Sequence, residues 1–181
     1  MQTFEDSMLR RTVLSAAMLL ARTDVNESAN HEHMTFTMKV DGVNQPNYQA
    51  LIVKEEDNGD QFFSILAFQR GADTLNLQPS VWLSVNAGGK GTYAIQRRLN
   101  YEGAWALYND SEGAGFSFFN TDPRLNKGFV STCGAITILE IDEKSRRISG
   151  RFRFNAVNGS GKEKSISEGT FSNLSYFEQA S

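Results

Sequence analysis

At 181 residues, with a net charge of −3 and one cysteine, the chain is long enough for one domain with its own core and too short to expect two. No basic field is present to draw in nucleic acid, and the lone Cys133 excludes an internal disulfide framework and a multi-cysteine zinc site. Thirteen Phe and fifteen Gly against three Pro point to short strands joined by glycine-containing turns.

The chain divides into residues 1–22, 23–34 and 35–178. In the first part, "MLRRTVLSAAMLLARTD" sets two arginines before an apolar run from Thr12 to Ala21. That is the layout of an export signal, and the run is too short to span a bilayer. The same residues also read as an amphipathic helix, with Leu9, Val13, Ala16, Ala17 and Leu20 at helical spacing and Thr3 with Asp6 as a capping box. Residues 23–34 are a polar linker.

From Thr35 onward, strand signals recur with turn residues between them. "TFTMKV" places Phe36, Met38 and Val40 on one face and breaks at Asp41-Gly42. "YQALIVK" and "QFFSILAFQ" flank "EEDNGD", whose Asn58-Gly59 pair suits a tight hairpin. The second of these is apolar on both faces, the pattern of a central strand covered on each side. "SVWLSVN" buries Val81, Leu83 and Val85 and turns Trp82 the other way. "GTYAI", "GAWALY", "GFSFF" and "GAITILEI" follow, and "RISGRFRFNA" with "SISEGTFSNLSYF" forms a closing hairpin. About ten strands and no helix after Met34 predict an all-β antiparallel sandwich or barrel. The sequence leaves both closures open.

The last third carries a family likeness. Gly134-x-Ile136-x-Ile138, the Asp142 turn, Ile148-Ser149-Gly150-x-Phe152-x-Phe154 and Gly169-x-Phe171, with the earlier "MKVDG" and "GKGTYAI", resemble a family of unknown function. Its members are small all-β predicted lipoproteins of the cell envelope in Bacteroidetes-type bacteria. The resemblance spans most of Thr35 to Tyr176 and implies an exported, non-catalytic β domain. It brings no ligand and no active residues to carry over. Where a lipobox cysteine would stand this chain has Arg22, which removes the usual site of lipid anchoring.

Several motifs invite chemistry and fall short of it. His31 and His33 lack the partners of a tetrahedral metal site unless Glu27 or Glu32 helps. No cysteine-hydrolase signature surrounds Cys133. "NAGGKGTY" lacks the Gly-Lys-Ser/Thr opening a helix that phosphate binding requires. Asp57, Asp60, Asp110 and Glu112 match no helix-loop-helix calcium pattern and read as solvated turns. No metal or cofactor is therefore assigned.

Two surfaces remain. Trp82, Tyr101, Trp105 and Tyr108 are candidates for an exposed aromatic platform that stacks on a glycan or an envelope protein. Arg151 and Arg153 project from one face of their strand, and Glu168, Glu140 or Asp142 are the expected cross-strand partners of a solvated, salt-bridged wall, the reading preferred over an anion-binding stripe. The function expected is a periplasmic or cell-surface binding or structural module without catalysis. The rivals are a small-molecule carrier, which needs a roomy apolar barrel, and a hydrolase using paired carboxylates.

Overall fold

In β1 (Thr35–Val40) Phe36, Met38 and Val40 are buried while Thr35 and Thr37 are exposed, as a period of two dictates for a half-buried strand. Asp41 and Gly42 both hold positive φ, 51° and 81°, the conformation of a two-residue hairpin turn. They lead into β2 (Val43–Gln45), a three-residue edge strand too short to announce itself in the sequence. The computed structural model describes residues 34–57, 59–69, 79–95, 103–110 and 128–179. The signal-like or helical segment 1–22, most of the linker 23–34 and the expected strand "GFSFF" lie outside those residues.

The remaining strands are β3 (Tyr48–Asp57), β4 (Asp60–Gln69), β5 (Ser80–Asn86), β6 (Gly91–Ile95), β7 (Ala104–Asn109), β8 (Phe129–Asp142), β9 (Arg147–Val157) and β10 (Glu163–Gln179). They form one sheet in the order β2-β1-β10-β3-β4-β5-β7-β6-β8-β9, and a further β9–β10 pairing closes it into a ring. The sequence left sandwich and barrel open; the ring is a barrel. β1 and β3 share one edge of the long β10. Thr35 to Val40 pair with Ser172 back to Ile166, and β3 takes over at Tyr176 opposite Ile52.

Two pairings depart from the expected antiparallel pattern. β10 runs parallel to β3, and β6 meets β7 in parallel at Ile95 opposite Ala104. Strands distant in sequence meet where the ring closes, so hairpin logic does not fix their direction.

Bulges shape the closure. Opposite β9, β10 carries an extra residue between Ile166 and Gly169 and another between Phe171 and Leu174. Glu168 and Asn173 there hold φ of 49° and 55°. An extra residue bends a strand and increases its twist, which a 17-residue strand needs to follow a barrel wall. β8 slips likewise between Ile138 and Glu140, leaving Leu139 exposed at 53%.

Inside the ring, Phe63, Ile65, Leu83, Phe129, Ile136 and Phe171 are at most 1% exposed and belong to one cluster. Branched and aromatic side chains from all sides fill the interior, as in other small barrels. The expected two-sided burial of β4 is present: every residue from Phe62 to Phe68 is buried.

Candidate binding surface

The barrel wall has two unlike outer faces. On β3, β4, β5 and β7 the residues alternating with the core set are Leu51, Val53, Leu66, Phe68, Trp82 and Trp105, all buried. Leu66 lies opposite Trp82, and Trp82 opposite Leu107. The indoles of Trp82 and Trp105 meet edge-on with centroids 4.9 Å apart, a favoured aromatic geometry.

This corrects the aromatic platform. Trp82 is 4% exposed, Trp105 5% and Tyr108 4%, so their rings offer no face to a ligand. Tyr108 points into the barrel interior, where its ring lies 6.0 Å from that of Phe129. Burial raises its hydroxyl pKa to about 12, with Asp110 and then Asp41 adding to the rise. Tyr101 lies outside the described residues. The misreading has a physical source: the residue opposite a core-facing position normally meets water, but this wall is covered on both sides.

The second outer face, on β6, β8, β9, β10 and β1, is open and mostly polar, with Leu139 and Phe177 exposed on its strands. One rank of side chains crosses all five strands. Thr92 pairs with Thr137, Thr137 with Arg151, Arg151 with Thr170 and Thr170 with Thr37. The hydroxyls of Thr92 and Thr137 share a hydrogen bond of 3.0 Å, and those of Thr37 and Thr170 one of 2.8 Å. Arg151 stands exposed in the middle of the rank. Arg153 is exposed beside it, two residues along and about 7 Å away at strand rise. Its cross-strand neighbour on β8 is Ala135, followed by Ala94 on β6, so the surface next to it is low.

The expected salt bridges do not form. Glu168 accepts from Lys39 Nζ at 2.7 Å instead, because its bulge turns it toward β1. Asp142 lies opposite Arg147 and closes its own turn, accepting from the Ser145 hydroxyl at 2.6 Å and from the backbone N–H groups of Ser145 and Lys144. Those bonds, the Ser145 hydroxyl first, hold its carboxyl below the usual range. Asp41 is held low by the Lys164 ammonium, which donates to it at 2.7 Å, and by the Ser165 N–H. Glu140 faces Ser149. Among the described residues, no hydrogen bond or ion pair engages Arg151 or Arg153.

The threonine rank was not singled out from the sequence. Its members come from five separate strands, and only the register brings them together. Cys133 is exposed, with the Asn155 amide 3.8 Å from its sulfur. Asp60 is exposed in its turn, while His31, His33 and Glu112 lie outside the described residues. No group of three His, Cys, Asp or Glu converges among the described residues, nor is any described helix long and apolar enough to cross a membrane.

Residues 39–175 match a family described as a domain of unknown function (DUF6252). No curated protein and no solved structure matches the chain.

Proposed function

The chain belongs to the DUF6252 family, and from that premise we propose that it is a non-catalytic binding module of the bacterial cell envelope, exported to the periplasm or cell surface. The observation that carries this reading is the open wall around Arg151 and Arg153. Two guanidinium groups stand in solvent while the carboxylates of Glu168, Asp41 and Asp142 are engaged elsewhere. The interior, by contrast, is taken up by packed side chains, which favours recognition on the outside over a carrier's enclosed site. The signal-like arginines and apolar run before Arg22 support export, and the resemblance to envelope lipoproteins agrees with it.

Cell fractionation tests the location, and retention of the purified chain on isolated envelope material tests the surface. The reading expects recovery with the envelope fraction and retention that is lost when Arg151 and Arg153 are both changed to Gln. A chain found in the cytoplasm and not retained would end it.

A further inference from the structure

We propose that the rank Thr92–Thr137–Arg151–Thr170–Thr37, with Arg153 beside it, binds an acidic polysaccharide laid across the strands. The inference rests on the binding-module reading and names the ligand class for its open wall. Three features of the wall carry it.

The first is charge. Arg151 and Arg153 have no carboxylate partner among the described residues, and their guanidinium forks are shaped to grip carboxylate or sulfate through two parallel hydrogen bonds. Lys39 and Lys164 on the same face are already neutralised by Glu168 and Asp41. The unpaired positive sites named on this wall are therefore few and stand on alternate residues of one strand, which suits a ligand with spaced anionic groups.

The second is hydroxyl chemistry. Each threonine pair uses one hydrogen between its two oxygens. That leaves each pair with one further donor and several lone pairs directed at solvent. Sugar hydroxyls need such mixed donors and acceptors. Neighbouring strands lie about 4.8 Å apart, so the four steps of the rank span roughly 19 Å. A regular rank of that length matches a repeating chain better than a compact small molecule, which would seek a concave pocket.

The third is shape. On the β8 and β6 side of Arg153 the floor consists of Ala135 and Ala94, so a ligand lying flat reaches the guanidinium from that side, while on the β10 side stands the bulge residue Glu168, held by Lys39. The rank and Arg153 carry no large aromatic ring, the exposed Phe177 lying farther along β10 opposite Val53, and single-stranded nucleic acid relies on such rings for stacking. Without such rings, and with threonine hydroxyls to pair with sugar hydroxyls, the wall suits an anionic glycan better than a phosphate backbone.

The test uses the full chain with four immobilised probes: a polyuronate, a sulfated polysaccharide, a neutral glucan and a single-stranded oligonucleotide. Binding is expected to the first two, weakening with added salt, and not to the neutral glucan. Arg151→Gln should weaken binding about tenfold and Arg153→Gln similarly, the scale of losing a charge-assisted hydrogen bond. Thr137→Val with Thr170→Val should weaken it less while leaving thermal unfolding unchanged. Equal binding to the oligonucleotide, or binding that survives loss of both arginines, would overturn the inference. Failure on all four probes, with arginine-dependent retention on whole envelope material intact, would reject the polysaccharide and keep the binding module. Loss of that retention too would reject both.

Discussion

Phe171 lies directly opposite Gly150 across the β9–β10 pair, and its ring occupies the space that a Cβ at position 150 would take. The arrangement is repeated in reverse one step away, where Phe152 lies opposite Gly169 and would meet its Cβ. Two aromatic rings thus cover two glycines on facing strands. Adding even a methyl group to such a site forces rings off their rotamers. Gly150→Ala should therefore destabilise the fold by about 1–3 kcal/mol or more, read as a lower midpoint in chemical denaturation. An unchanged midpoint would mean that both the Phe171 ring and the β8 backbone at Thr137, whose carbonyl oxygen the Cβ would also meet, can give way.

The parity of β9 gives a paired prediction. Phe152 is 3% exposed and packs against Phe36 at 5.4 Å between centroids, so Phe152→Ala should cost about 3–5 kcal/mol. Arg151 is exposed and unengaged, and Arg151→Ala should stay within about 0.5 kcal/mol. Equilibrium unfolding of both variants checks the assignment, and a larger loss for Arg151→Ala would reverse the strand's faces.

Strand identity was written locally, and ring closure was not. "TFTMKV", "SVWLSVN" and "GTYAI" coincide with β1, β5 and β6 because a period of two and a flanking turn are short-range signals. The glycines and phenylalanines behind the family likeness also have a clear purpose, since they face one another in space. What the sequence withheld depends on register. Glu168 was expected to meet an arginine, but the bulge between Ile166 and Gly169 sends it to Lys39. Alternation predicts an exposed Trp82 because it tells which residues share a face, not what covers that face. The threonine rank required five strands to be aligned before it could be seen at all.

Trp82 and Trp105 yield a spectroscopic prediction. With both indoles buried, iodide should quench tryptophan fluorescence only weakly in the native chain and strongly after unfolding. Trp105→Ala should cost about 3–5 kcal/mol through the cavity it leaves. Strong native quenching would instead restore the aromatic surface.

Alkaline pH should weaken the barrel through its interior tyrosines. Burial pushes the Tyr108 hydroxyl from its ordinary 10.0 up to about 12 in the folded chain, and raises Tyr48 as well. For a group whose folded pKa is raised, the native state holds its proton while the unfolded chain gives it up. Stability from these residues is therefore full below about pH 10 and declines as pH rises from there toward 12. Among the described residues the buried Tyr48 hydroxyl has no hydrogen-bond partner, so Tyr48→Phe should be neutral or stabilising at pH 7. In Tyr48→Phe/Tyr108→Phe the alkaline decline should become shallower. An identical decline in the double variant would place its cause elsewhere.

The last prediction concerns a chain beginning at Thr35. Every strand from β1 to β10 finds its hydrogen-bonded neighbours within the sheet, and the ring closes through β9 and β10. The family match, residues 39–175, covers nearly the same span. The shortened chain should therefore unfold cooperatively at the midpoint of the full chain and keep the full chain's oligomeric state in sedimentation. The critical surface is the apolar outer wall of Leu51, Val53, Leu66, Phe68, Trp82 and Trp105. If the stripe of Leu9, Val13, Ala16, Ala17 and Leu20 is what covers that wall, its removal would bare a large apolar patch. Aggregation or a marked drop in midpoint would then appear, together with easier iodide access to the two tryptophans. That result would make residues 1–22 a docked helix and count against their role as an export signal.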